Sequence, residues 1–179
     1  MSLYLPEIIF SKTKDDLLQQ IDHVTGKIAE FFAILPADKL LVGADPTGWP
    51  AVKNLKHITS VNNVMAFYIG LPSLILRLLG RPLHCDLAVE EMLPTNRPLV
   101  SDHGRYTTGK PIDAPALDAL IQNYRKSGQK LKKSVSLKSE DELDSLKGLF
   151  GSMSLRLFAH FALKHSVHHS LVVKERIEK

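Results

Sequence analysis

The sequence predicts an all-α protein, an antiparallel four-helix bundle with a long loop between the second and third helices. Apolar residues repeat at helical spacing in four long segments, strand-like alternation is scarce, and most of the ten prolines lie between the helical segments. A helix with one apolar face must bury it, and four such helices do so in a bundle. With 179 residues, of which 44% are hydrophobic, the chain can bury one core. We therefore expect a single domain over residues 1–179.

The first helix is predicted from about Lys14 to Phe32. Thr13 precedes it and can accept a hydrogen bond from a backbone N–H group of the first turn, as N-cap residues do. Asp15 and Asp16 follow, and acidic side chains stabilise the positive end of a helix dipole. An apolar stripe then repeats at Leu17, Ile21, Val24, Ile28, Phe31 and Leu35.

The second helix is predicted to begin near Trp49 or Pro50, because proline is well tolerated in a first turn. One face of this helix carries His57, Val61, Val64, Met65 and Tyr68. His57 is therefore an imidazole within an otherwise apolar stripe. A short apolar helix from Ser73 to Leu79 is expected to follow.

A long irregular loop is predicted from Pro94 to Pro111. Its polar cluster, Ser101 to Tyr106, contains Asp102, His103 and Arg105. Long loops in compact domains are often functional, so this cluster is a candidate for contacts with a substrate. For each residue taken singly, a place in a solvated connection is the commoner role.

Capping patterns place the remaining helices. Asp113 can cap a third main helix that has Pro115 in its first turn. Ser139 and Glu142 have the spacing of a capping box and should start a short helix. The last main helix is predicted from about Ser152 to Ile177.

Three of the eight histidines lie in one run of the last helix, K-H-S-V-H-H-S from Lys164 to Ser170. Each residue turns a helix by about 100°, so His165 and His169 share a face and are offset by roughly 40°. Both lie within the apolar arc of the helix. His168 falls at the edge of that arc, and His160 falls on the predicted polar back.

Two imidazoles on an apolar face are costly to bury without partners, at about 1–3 kcal/mol each. They can bond to neighbouring groups or water, or they can bind a metal ion, since an i, i+4 pair suits one ion. His57, on the apolar stripe of another helix, can complete a set of three. Three neutral imidazoles leave a divalent ion with open positions, as in sites that activate water or a substrate. We predict that His57, His165 and His169 bind one divalent ion.

Two segments carry a resemblance to a known family. The segment D-P-T-G-W-P-A-V-K-N-L-K-H-I, Asp45 to Ile58, has a tryptophan at a helix start and a histidine two turns later. The segment L-K-H-S-V-H-H-S-L-V-V, Leu163 to Val173, holds the H-x3-H pair. In order and spacing they resemble the DinB-like, or YfiT-like, metal-binding superfamily of helical bundles. The resemblance implies the same three histidine ligands. Members of that family often continue with Arg-Gly-Gln after the last histidine, where this chain has S-L-V.

The resemblance implies several activities. Some members use the metal to bind the sulfur of a low-molecular-weight thiol and transfer it to an electrophile, others look like metal-dependent hydrolases, and many have no assigned reaction. A thiol transferase, a small-molecule hydrolase and a non-catalytic binding bundle therefore stay open. No glutamate lies between His165 and His169, which argues against a zinc peptidase of the H-E-x-x-H type. Imidazoles suit zinc, nickel, copper and iron, of which we expect zinc or nickel.

Composition argues against two classes of partner. The net charge is +4, but Tyr124 is the only aromatic residue near the basic run around Lys130, so nucleic-acid binding is not expected. No apolar run reaches the roughly 20 residues that span a bilayer. The start, M-S-L-Y-L-P-E-I-I-F, lacks a basic signal region, so we expect a cytoplasmic protein. The family often pairs, and the apolar stretch Phe67 to Leu79 exceeds what one core needs, so we expect a homodimer.

Overall fold

The computed structural model describes residues 4–44, 49–83, 105–107, 112–149 and 153–178. These residues form six α-helices, a short 3-10 helix over Ala37–Lys39 and two three-residue strands. The helices are α1 (Lys14–Ala33), α2 (Ala51–Ile69), α3 (Ser73–Leu78), α4 (Ala114–Ser136), α5 (Glu140–Ser145) and α6 (Leu155–Glu178). The strands are β1 (Val42–Ala44) and β2 (Arg105–Thr107). The prediction of an all-α protein is confirmed.

The predicted helix caps are present. The Thr13 hydroxyl accepts a backbone N–H at the start of α1, and the Asp113 carboxylate does the same for α4. Ser139 and Glu142 form the predicted capping box at α5, each side chain accepting the backbone N–H of the other residue. These contacts satisfy N–H groups that have no partner inside the helix, so they set where each helix begins.

The last helix begins at Leu155 rather than at Ser152. The backbone N–H of Gly148 donates to the carbonyl of Met153 at 2.8 Å, and Lys147 pairs with Ser154 in an isolated antiparallel bridge. These bonds hold the chain before α6 in an extended pairing, which competes with helical backbone bonds over the same residues.

The four long helices pack in antiparallel and parallel pairs. α1 and α4 run antiparallel, because Asp22 pairs with Lys132 while Thr25, further along α1, packs against Gly128, which comes earlier in α4. α2 and α6 also run antiparallel. The aromatic ring of Tyr68, near the end of α2, lies 5.7 Å from that of Phe158, near the start of α6.

One pair of helices in the predicted antiparallel four-helix bundle, α2 and α4, runs parallel. Asn62 donates to Ser127 at 3.4 Å, and Ser134 donates to the carbonyl of Ala66 at 2.7 Å, so residue numbers rise together along the pair. The strand pairing explains why α2 and α4 run parallel. Strand β2 lies between α3 and α4, and it pairs antiparallel with β1, which precedes α2. The chain has therefore crossed back to the end of the bundle where α2 begins, and α4 starts from there.

The core is built from the predicted stripes. All six apolar residues of the predicted α1 stripe are buried, as are Met65 and Tyr68 of α2. Val64 is 54% exposed, so it lies outside the face on which the sequence placed it. Among the described residues, no helix combines the length and the apolar character needed to cross a bilayer.

Candidate metal centre

The three predicted ligands meet between α2 and α6. His57 lies in α2, and His165 and His169 lie one turn apart in α6. Each offers a ring nitrogen, and these nitrogens all lie within 4.8 Å of one another. The Nε2 atoms of His57 and His165 are 3.4 Å apart. The antiparallel packing of α2 on α6 brings these residues together, although the two helices are far apart in sequence.

The separation of the nitrogens suits a shared ion. Zinc–imidazole bonds are about 2.0–2.1 Å long, so two nitrogens on one tetrahedral ion stand about 3.3 Å apart. The 3.4 Å between His57 and His165 is close to that value. In addition, the buried Nδ1 of His165 has no hydrogen-bond partner within the part of the chain that is described. The site thus provides ring nitrogens at a spacing that suits one ion.

The three imidazoles are held in their neutral form. Burial, followed by the nearby histidines, lowers the pKa of His169 to about 3 and that of His165 to about 4. Burial also lowers the pKa of His57. Neutral imidazoles carry the lone pairs that bind a metal ion, so no proton has to leave the ligands at neutral pH.

Two aromatic side chains lie against the histidines of the centre. The ring of Trp49 lies edge-on to His57 at 4.9 Å between centroids and stacks on His169 at 6.2 Å. Phe161 stacks on His165 at 5.9 Å. Apolar rings beside a site limit the water on their side and lower the local dielectric, which strengthens electrostatic interactions there.

The DinB superfamily model matches residues 20–173, from within α1 to near the end of α6. The chain belongs to the DinB superfamily. This match confirms the resemblance that the sequence suggested, and it spans all three candidate ligands. No curated protein and no solved structure matches the chain.

In this member of the DinB superfamily, two other histidines of α6 lie outside the group of His57, His165 and His169. His160 is fully buried, so its predicted place on a polar face is wrong. The segment before α1 covers that face, and the backbone N–H of Ser11 donates to the Nε2 of His160 at 3.1 Å. His168 is half-buried, and its ring lies edge-on to that of His169 at 5.5 Å. We predict that neither residue is a direct ligand, and this stays a prediction.

Part of the predicted substrate loop lies beyond what the structure describes. Asp102 and His103 are outside the described residues, and Arg105 and Tyr106 lie in β2. The prediction that this loop contacts a substrate stays a prediction.

Sequence reasoning missed one residue that contacts the candidate metal centre. Asn54 lies in α2 three residues before His57, and its side chain is bonded to His169. Residues three apart share a helix face, so a wheel drawn around His57 would have indicated it. Trp49 was noted at the helix start, but its contacts with two of the histidines could not be inferred from spacing.

We expect the metal-free protein to lose stability as the pH falls from about 6.5 towards 4. Burial is the main cause that lowers the pKa of His160 and His165 from 6.5 to about 4, and that of His169 to about 3. The unfolded chain takes up these protons near pH 6.5, whereas the folded chain does so only at lower pH. The stability that these three neutral histidines contribute is therefore fully present above about pH 6.5. It is lost as the pH falls towards their pKa values in the folded protein. Urea unfolding of chelator-treated protein at a series of pH values measures it.

His160→Gln provides the control for this pH dependence. A glutamine oxygen can still accept the Ser11 N–H bond but does not titrate, so the slope of stability against pH should become smaller. Equal stability of the metal-free wild type at pH 7 and pH 4 would contradict the expectation.

Proposed function

We propose that this protein binds one divalent metal ion, zinc or nickel, through His57, His165 and His169 and uses it in chemistry on a small molecule. The observation that carries the proposal is the convergence of three neutral imidazoles from two helices, with two Nε2 atoms 3.4 Å apart. Three protein ligands leave positions for an exogenous group, which distinguishes sites of chemistry from closed structural sites. Membership of the DinB superfamily supports the same choice of ligands.

Thiol-dependent transfer is the reaction that we propose. A bound ion lowers the pKa of a coordinated thiol or water and so supplies a nucleophile at neutral pH. A thiol needs far less help, because its ordinary pKa is about 8.5 against about 15.7 for water. The metal-binding group found among the described residues consists of three histidines. Ser166, between the ligands in sequence, is buried and donates its hydroxyl to Asn62. The smaller pKa shift that a thiol needs favours a thiol over water as the nucleophile.

The protein's own groups bind and shield the reactants in this proposal. The histidines hold the ion, and the rings of Trp49 and Phe161 exclude water from one side of it. The thiol would lose its proton to solvent, and its sulfur would form a bond to the electrophilic carbon of the second substrate as the bond to the leaving group breaks. Hydrolysis of a small ester is the second candidate, and a non-catalytic metal-binding bundle is the third.

Metal content tests the first part of the proposal. Protein purified without a histidine tag should contain about one equivalent of a divalent ion by elemental analysis. A chelator should lower its melting temperature, because an ion that binds only the folded state stabilises it by mass action. Protein that neither contains nor takes up a divalent ion would contradict the proposal.

Turnover assays distinguish the candidate reactions. Metal-loaded protein should accelerate the loss of a low-molecular-weight thiol in the presence of an alkyl halide or an epoxide, and His57→Ala should abolish this acceleration. Ester cleavage without any thiol would instead favour the hydrolase. Full metal occupancy with no turnover in either assay would favour the non-catalytic bundle.

We also propose that the protein forms a homodimer through an apolar face at the ends of α2 and α3. Phe67, Leu74 and Leu78 are 72%, 74% and 81% exposed on this face. Large apolar patches are unusual on the surface of a monomer and mark interaction sites. Sedimentation at micromolar concentration should show a dimer, which Phe67→Lys combined with Leu78→Lys should convert to monomer. Ile9→Lys, at another exposed apolar residue, is the matched control and should leave the dimer intact.

A further inference from the structure

One side chain contacts the metal centre without being a candidate ligand. Asn54 lies in α2 and is 2% exposed. Its Oδ1 atom lies 2.7 Å from the Nδ1 atom of His169. This contact joins α2 to α6 at the histidine that lies nearest the C-terminal end of α6. The direction of the bond decides which nitrogen of His169 remains for a metal ion.

The orientation of the Asn54 amide is set by its other contacts. Its Nδ2 group donates to the carbonyl oxygens of Trp49 at 2.8 Å and Pro50 at 3.1 Å. Carbonyl oxygens only accept hydrogen bonds, so the NH2 group must face them and Oδ1 must face His169. Arg176 of α6 also donates to the Trp49 carbonyl, at 2.6 Å, which holds that oxygen in place. A flipped amide would lose both donor contacts.

The amide orientation in turn determines the tautomer of His169. An amide oxygen accepts a hydrogen bond, so the Nδ1 atom of His169 must carry the proton that is donated. A neutral imidazole has one N–H group, so Nε2 is left with its lone pair. That is the form in which a histidine binds a metal ion through Nε2.

We propose that Asn54 is a positioning residue that holds His169 as the Nδ1–H tautomer and so presents its Nε2 atom to the metal ion. This inference rests on the proposed metal-binding function, but the tautomer itself exists in the metal-free protein. Asn54 acts through His169 and does not touch the ion. Without its bond the ring could rotate and exchange tautomers, and metal affinity would fall.

The same helix provides a matched control. Asn62 is also in α2 and also 2% exposed. Within the part of the chain described, its side chain bonds to Ser127 and Ser166, each at 3.4 Å, and to Tyr124, rather than to a histidine of the centre. Asn54→Leu and Asn62→Leu therefore remove equally buried amides of the same size. If Asn54 had a purely structural role, the two variants would lose zinc affinity to the same extent.

The experiment measures the tautomer and the affinity separately. Nitrogen chemical shifts of the histidine rings in metal-free protein at pH 7.5 report which nitrogen of His169 is protonated. Titration of Zn²⁺ against a competing chromophoric chelator reports affinity. We expect His169 to be Nδ1–H in the wild type and mixed in Asn54→Leu, with zinc affinity about 10- to 100-fold lower. Asn62→Leu should melt at lower temperature and keep its zinc affinity.

Each outcome decides the inference. A wild type with His169 protonated at Nε2 would overturn it, whether or not Asn54→Leu folds. Equal loss of zinc affinity in Asn54→Leu and Asn62→Leu would overturn it as well. If the wild type has the Nδ1–H tautomer but binds no zinc, then the proposed function fails while the role of Asn54 in setting the tautomer stands.

Discussion

Alanine at His57, His165 or His169 should lower the affinity for Zn²⁺ by more than about 100-fold. Loss of a group that only orients a ligand costs about 10- to 100-fold, and loss of the ligand itself should cost more. Each variant leaves two imidazoles and exposes the ion to additional water. The competition titration used for Asn54 measures the affinity, and elemental analysis measures the stoichiometry.

Two other histidines of α6, His160 and His168, are the controls for this loss of zinc affinity. His168→Ala should keep a full equivalent of metal, because His168 lies beside His169 but outside the converging group. His160→Ala should also keep its metal, although it should unfold more readily since His160 is buried and bonded to Ser11. If His57→Ala retained one equivalent while His168→Ala lost it, the assignment of the ligands would be wrong.

Gly128→Ala should destabilise the protein by about 1–3 kcal/mol, the usual cost of overpacking a close contact. Gly128 of α4 is buried against Thr25 of α1. A Cβ atom at this position would lie 2.5 Å from the Cγ2 atom of Thr25 and would also overlap its Oγ1 atom. The two helices would have to move apart, which disturbs the core on both sides. Urea unfolding at neutral pH measures the change in the free energy of unfolding.

Gly26→Ala is the matched control for this substitution. Gly26 follows Thr25 in α1, and a Cβ atom added at Gly26 meets nothing within 4 Å. Alanine in a helix is favoured over glycine by up to about 1 kcal/mol, so this variant should be more stable than the wild type. Thr25→Ala should relieve part of the Gly128→Ala penalty in the double variant. Equal effects of Gly26→Ala and Gly128→Ala would show that α1 and α4 do not pack closely here.

Local interactions account for most of what could be predicted about the helices. Thr13, Asp113 and Ser139 cap their helices through bonds that span only three residues. Such contacts depend on neighbouring residues alone, so the sequence indicates them directly. The start of α6 was placed too early because a bond between Gly148 and Met153 competes with the helix.

The candidate site was predictable in part for the same reason. The shared face of His165 and His169 follows from the helical period of α6. The place of His57 within an apolar stripe follows from the helical period of α2. The meeting of the two helices was supported by the family resemblance and not by periodicity. The partner of His169 was missed because the bond to Asn54 crosses between helices.

The sequence by itself determined the helical class, the helix caps and the shared face of His165 and His169, because each depends on residues within one or two turns of each other. Only the tertiary structure decided that α2 runs parallel to α4, that the segment before α1 buries His160, and that Asn54 bonds to His169. A helical wheel reports which side chains share a face of one helix. The element that covers this face depends on the path of the connections, and here the crossing between α3 and α4 reverses the direction that short loops would have produced.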